Sequence, residues 1–207
     1  MARCIPREIK IVLIFILGIL SWDCTNNPMR EYQEDCLTEK ELSGIQGGDI
    51  ILRLGEGLIS QIVTSVLDDS IRLSHCGIVV INNDSFYVVH SLPEELSDYD
   101  GIQICSLGEF VSESVPESIV VVRPKVSDFR VMEDKALYYL LHPKPFDWNF
   151  DIKDSTAFFC SEFPVHILKY YLGMDLCLNS SFYPKFSLFL DITYFEHIFI
   201  KRLVQSE

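Results

Sequence analysis

Basic charge is scarce in this chain: 17 Lys and Arg stand against 30 Asp and Glu in 207 residues, for a net charge of -13. A nucleic-acid binder needs clustered Lys and Arg to neutralise phosphates, so that class is excluded. No apolar run approaches the roughly 20 residues that span a bilayer; Ile11 to Leu20 falls well short. Close CxxC and HxxxH spacings are also missing, which leaves no sequence signature of a zinc site. There is no internal repeat and no low-complexity tract, and the length allows one domain. Against these absences, 48% hydrophobic and 12% aromatic residues supply a packed core and exclude disorder. Seven cysteines are too few for a disulfide-dense miniature scaffold, so each needs its own explanation.

Arg3, Arg7 and Lys10 precede the apolar run IVLIFILGIL, after which Ser21, Trp22, Asp23 and Cys24 are mostly polar. A basic segment followed by a short apolar one is the pattern of an export signal, so residues 1–23 are expected to be a signal peptide or lipoprotein signal. Cys24 is placed for acylation, although Trp22 and Asp23 stand where small residues are usual. The implied location is outside the cytoplasm, in the cell envelope, either free or anchored at a membrane through the N-terminal segment or a lipid on Cys24. Cleavage would remove three basic and two acidic residues, moving the net charge from -13 to -14, so the acidity belongs to the folded part.

Residues 24–46 are polar and charged and read as a linker with one short helix near Glu39 to Leu42; residues 47–207 form the domain. Asp49 to Leu54 reads as a strand, and Ile59, Ile62, Val63 and Val66 recur at helical spacing. Gly77–Asn82 and Phe86–His90 flank the turn residues Asn82-Asn83-Asp84-Ser85, a hairpin signal. A strand over 101–105 precedes a capping-box spacing from Ser106 to Glu109. Another strand covers Ser118–Arg123, helices run from Asp128 to Leu141 and from Phe159 to Tyr171, and a final strand spans Phe195–Leu203. Helices among neighbouring, hairpin-linked strands predict an α+β fold with an antiparallel sheet packed against helices.

His75 opens one hairpin strand and His90 closes the other, so the pairing register makes the two imidazoles neighbours. Cys160 lies in Phe158-Phe159-Cys160-Ser161-Glu162, in what reads as the first turn of a helix. Unpaired N–H groups there stabilise a thiolate. By residue type alone Cys160 is equally an inert core thiol beside Phe158 and Phe159. A zinc site from His75, His90 and Cys160 is disfavoured by their spacing, and no metal or cofactor is expected. Cys76, next to His75, points to the opposite side of its strand and reads as core. Cys36, Cys105 and Cys177 have no spacing that specifies a bridge.

Gly48-Asp49-Ile50-Ile51, Ser74-His75-Cys76-Gly77-Ile78-Val79, Tyr87-Val88-Val89-His90-Ser91, Phe146-Asp147-Trp148-Asn149-Phe150-Asp151 and Phe158-Phe159-Cys160-Ser161-Glu162 occur in that order. The series, over about residues 47–170, resembles the signature of permuted papain-like amidases of the YaeF/YiiX kind, relatives of the NlpC-type cell-wall peptidases. The resemblance implies a circularly permuted papain-like fold, with Cys160 as nucleophile and His75 as general base. Many members carry Glu where His90 stands, whereas the related lecithin retinol acyltransferase-like proteins use a second His. His90 is therefore the expected third residue, with Asp84 or Glu94 as substitutes. Asp49, Ser74 and Ser161 are weaker candidates for substrate contact; Asp49, Asp147 and Ser161 also read as structural.

These readings converge on an exported cysteine hydrolase, an amidase or peptidase acting on cell-wall peptides. One alternative keeps the triad and acts on an acylated small substrate, as a lipid acyl hydrolase, acyltransferase or thioesterase. Another is a non-catalytic, envelope-binding lipoprotein on the same fold.

Overall fold

The computed structural model describes residues 37–67, 71–174, 176 and 183–201. The expected signal segment, Cys24, Cys36 and Cys177 lie outside these described residues.

Six strands make one sheet: β1 (Ile50–Gly55), β2 (His75–Asn82), β3 (Ser85–Leu92), β4 (Gly101–Ser106), β5 (Ser114–Pro124) and β6 (Phe195–Ile200). Their spatial order is β4-β3-β2-β1-β5-β6, with every neighbouring pair antiparallel. Among the described residues five α-helices accompany it: α1 (Glu39–Gly44), α2 (Leu58–Leu67), α3 (Leu107–Ser112), α4 (Val131–Leu141) and α5 (Glu162–Tyr170), with a 3-10 turn at Phe186–Leu190. This is the expected α+β architecture with an antiparallel sheet.

Both faces of the sheet are covered, which explains why the central strands read as continuous apolar runs rather than as alternation. On one face Ile50, Leu52, Cys76, Ile78, Val89, Val120 and Val122 pack with Met132 and Ala136 of α4, Phe163 and Ile167 of α5, and Phe186 and Phe189. On the other, Ile51, Val79, Val88, Ile119 and Val121 pack with Leu107, Phe110 and Val111 of α3 and with Leu37 and Ile45, which flank α1. Each such fully buried aliphatic or aromatic side chain contributes about 1.5–3 kcal/mol.

The burial of Leu37 and Ile45 corrects the expected boundary at residue 47: the segment read as linker already belongs to the folded unit from residue 37. Thr38 closes a capping box with Glu41, and Lys201 pairs with Glu41 at 3.4 Å. Polar composition hid this because, among its described residues, Leu37 and Ile45 are the buried apolar ones, with Leu42 packed beside them.

Other boundaries shift for local reasons. β1 starts at Ile50, because Asp49 N–H is held by the Gln46 carbonyl in the preceding turn. β5 extends back to Ser114, beyond the apolar stretch, passing through Glu117 at φ 60°. α4 begins at Val131, after a turn in which Val131 N–H donates to the Asp128 carbonyl. α5 starts at Glu162, so Cys160 sits in the turn before the helix rather than inside it.

The β2–β3 hairpin turns through Asn83 and Asp84 at φ 48° and 60°, the left-handed pair a two-residue turn requires. Its register sets Gly77 against His90. A Cβ at Gly77 would overlap Val88 Cγ1 and stand 2.9 Å from the Val89 carbonyl and 3.1 Å from His90 Cβ. Gly77→Ala is therefore expected to cost about 1–3 kcal/mol by overpacking, read as a lowered urea midpoint. A variant as stable as wild type would show that the hairpin yields without cost.

Candidate functional site

The end of the hairpin distal to its turn carries the residues of interest, divided between the two faces of β2. His75 and His90 project onto the α3 face. His75 Nε2 and His90 Nδ1 are 2.8 Å apart, so one ring donates to the other. His75 stacks on Phe110 at 5.6 Å, and His90 meets the same ring edge-on. Arg53, opposite His75 in β1, lies over Phe110 at 4.5 Å. Its Nη1 donates to the Phe110 carbonyl and its Nη2 to Glu113, both at 2.7 Å, while its Nε is buried without a hydrogen-bond partner.

Burial pushes the His75 imidazole well below its usual pKa, with His90 and Arg53 adding to the effect. His90 falls to about 3, chiefly through burial and then through Arg53. Both rings are therefore neutral at pH 7, and each has one nitrogen to give and one to receive.

Cys160 packs on the opposite face. The loop that delivers it is folded by Asp147, whose carboxylate accepts from Asn149 N–H and Asp151 N–H, both at 2.7 Å. Phe150 takes φ 53° within that loop. Phe158 N–H donates to the Pro145 carbonyl at 3.1 Å, and Ser91 Oγ donates to the Phe158 carbonyl at 2.6 Å, pinning the next residues beside β3. Glu162, buried and pushed up to about 8 by that burial and by Asp147, Asp151 and Asp154, accepts from Phe159 N–H at 3.4 Å and braces the turn.

The neighbour of Cys160 is Cys76. The Cys76 thiol donates to the Cys160 carbonyl at 3.3 Å. The Cys160 thiol is partly exposed and lies below its ordinary pKa: a hydrogen bond from Cys76 favours its thiolate, burial opposes it, and the backbone N–H groups of Ser161, Cys160 and Cys76 assist. Burial and the Cys160 sulfur drive the Cys76 thiol the other way, well above its usual value.

The pleat thus brings His75 and His90 together, as the register implied, and separates both from Cys160. His75 shares its face with Val79 and Cys76 shares its face with Ile78, so β2 itself stands between the expected base and the expected nucleophile. The substitutes for His90 are elsewhere: Asp84 is exposed in the hairpin turn at the opposite end, and Glu94 is exposed in the turn after β3.

The three weaker candidates are occupied by structural bonds. Asp49, fully buried, forms a two-pronged ion pair with Arg123 at 2.7 and 2.8 Å. Ser74 Oγ accepts from Gly55 N–H at 2.8 Å, and Ser161 Oγ donates to the Pro184 carbonyl at 2.9 Å. All three are buried, and these bonds give each of them a structural role. Cys76, Arg53 and Glu162 also shape the two half-sites, which residue type alone does not indicate. Strand alternation had placed Cys76 on the face away from His75, the one signal that pointed toward Cys160.

The fold has a counterpart among solved structures. It is similar to the metalloprotein yiiX from Escherichia coli O157:H7, at a TM-score of 0.52 and 24% sequence identity, over 63% of this chain and 68% of that chain. The chain has a YiiX-like fold. No family model matches the sequence, and no curated protein does. Among the described residues no group of three or more His, Cys, Asp or Glu side chains is placed to hold a metal ion. His75 and His90 direct nitrogens at each other, and Cys160 lies behind the strand, so these residues do not fit a metal centre. No helix among the described residues is long and apolar enough to cross a membrane.

Proposed function

We propose that the protein is a cysteine hydrolase on a permuted papain-like fold, with Cys160 as its nucleophile. One observation carries this reading: the Cys160 sulfur lies in the turn before α5, where the Cys76 thiol and three backbone N–H groups favour its thiolate. The thiolate attacks a substrate carbonyl carbon, the C–N or C–O bond breaks as the amine or alcohol leaves with a proton from water, and the hydroxide so formed hydrolyses the acyl-enzyme and returns the thiolate. The turn supplies the acidity of the thiol; the neutral His75–His90 pair holds the end of the hairpin from the other face.

The substrate proposed first is an amide of a cell-wall peptide, in keeping with an exported protein. A specific feature favours the second reading, an acylated small substrate: Phe146, Trp148, Phe150, Phe159 and Tyr183 form a chain of ring contacts at 5.1–6.1 Å along the loop leading to Cys160. Aromatic surface of this kind suits an apolar acyl group.

A thiol-directed acyl electrophile at neutral pH provides the test, with folding verified by circular dichroism. Labelling should vanish in Cys160→Ala and persist in His75→Asn. Unchanged labelling of Cys160→Ala overturns the nucleophile assignment. Loss of labelling in folded His75→Asn would show that the imidazole reaches Cys160 and would restore the triad. Muropeptides and acyl lipids offered side by side then distinguish the two substrate classes.

A further inference from the structure

We propose that Cys76 and Cys160 form a reversible disulfide that masks the Cys160 thiol under oxidising conditions. The pair is joined by fold rather than by sequence. Cys76 is buried at the start of β2, with its side chain on the α5 face, and Cys160 is partly exposed in the turn that enters α5. The Cys76 thiol donates to the Cys160 carbonyl at 3.3 Å, and each thiol shifts the pKa of the other, so the two side chains are neighbours on this face. Cys105, the remaining free cysteine among the described residues, lies opposite Val88 in the β3–β4 pairing, on the other face of the sheet.

The two thiols have complementary roles. Cys160 meets solvent and carries the more acidic thiol, which is the character of a residue that a peroxide attacks. Cys76 is fully buried, out of reach of oxidant, and positioned only to meet Cys160. With hydrogen peroxide as the oxidant, the Cys160 thiolate attacks one peroxide oxygen, the O–O bond breaks, and hydroxide leaves to become water. The product is Cys160 sulfenic acid. The Cys76 sulfur then attacks the Cys160 sulfur, the S–O bond breaks, and the departing hydroxide takes the Cys76 proton as a second water. Two thiols are oxidised by one electron each and the peroxide is reduced by two. A dithiol returns the pair to the reduced state by exchange. The consequence for activity rests on the proposed role of Cys160 as nucleophile; formation of the bond does not.

Full-length protein treated with hydrogen peroxide, blocked with N-ethylmaleimide, digested without reduction and analysed by mass spectrometry tests the bond. A peptide joining the Cys76 and Cys160 segments, lighter by two hydrogens than their sum and abolished by dithiothreitol, is the expected result. It should persist in Cys105→Ser and be missing from Cys76→Val, in which Cys160 instead accumulates as sulfinic acid. Peroxide-treated wild type in which Cys160 is sulfinic, or is joined to another cysteine, without the 76–160 peptide overturns the proposal. In parallel, acyl-electrophile labelling of Cys160 should fall at least tenfold after peroxide and recover with dithiothreitol. If Cys160 of the untreated protein does not label, the nucleophile reading fails, while the cross-linked peptide still decides the disulfide.

Discussion

Asp49→Ala is expected to cost about 3–5 kcal/mol, the penalty for removing one partner of a buried ion pair and leaving the other charge uncompensated. Against a total stability of about 5–15 kcal/mol, that is enough to unfold much of the population under mild denaturant. The carboxylate is wholly inaccessible and satisfies three donors: Arg123 Nε at 2.7 Å, Arg123 Nη2 at 2.8 Å and Gln46 N–H at 2.8 Å. Arg123 Nη2 also donates to the Gly44 carbonyl at 2.9 Å, so one contact fastens β1, β5 and the end of α1. Burial raises the Asp49 pKa while Arg123 and Gln46 pull it back. Asp49→Asn keeps the shape but loses the charge, and should fall between wild type and Asp49→Ala. In a double-mutant cycle with Arg123→Leu, the two losses should be strongly non-additive, because each single change strands the same partner. Urea unfolding measures all four variants, the double mutant included; a loss below about 1 kcal/mol in Asp49→Ala would show that the carboxylate is not needed to hold these elements and leave it free for substrate contact.

The sheet was legible because its signals are local. Asn83 and Asp84 are the turn residues a tight hairpin demands, and the strands beside them carry the apolar runs Ile78-Val79-Val80-Ile81 and Phe86-Tyr87-Val88-Val89. From that turn the meeting of His75 and His90 follows by counting. The capping box at Ser106 and Glu109 was equally readable, since both partners lie within one turn. Residues 37–45 were not readable as part of the domain, because their place depends on Leu37 and Ile45 meeting Val79 and Val121 far along the chain.

The site shows the same division. Residue chemistry identified Cys160 and the two histidines, and alternation along β2 already put Cys76 and His75 on opposite faces. What sequence does not specify is which face of the sheet each helix covers. α3 took the histidine face through Phe110, and α5 with the segment before it took the Cys76 face through Phe163 and Phe158. A resemblance carried by ordered motifs transfers residues along the chain; it does not by itself carry the third dimension that joins nucleophile to base.

Lowering the pH from 6.5 is expected to destabilise the protein through His75 and His90, with a slope of about 1.4 kcal/mol per pH unit for each imidazole. The folded pKa of each lies below its unfolded value of 6.5, so the unfolded chain binds protons that the folded one refuses. Their stabilisation is complete above pH 6.5 and is lost progressively toward the folded value, about 3 for His90. His166, held at about 4 mainly by burial, adds in the same direction. Glu162 works the other way between pH 8 and 4.5, because its folded carboxyl keeps a proton that the unfolded chain releases. Above pH 4.5 it therefore partly offsets the histidines, and below that value the offset ends, so the decline steepens. Urea unfolding at intervals from pH 8 to 4 measures the curve. His90→Asn should reduce its slope between pH 6.5 and 4.5 by about 1.4 kcal/mol per unit, the value of one imidazole. Glu162→Gln should raise stability at pH 8 and leave it unchanged near pH 4. An unaltered slope in His90→Asn would mean that this imidazole is protonated in the folded protein, in which case the His75–His90 hydrogen bond would join a cation to a neutral ring.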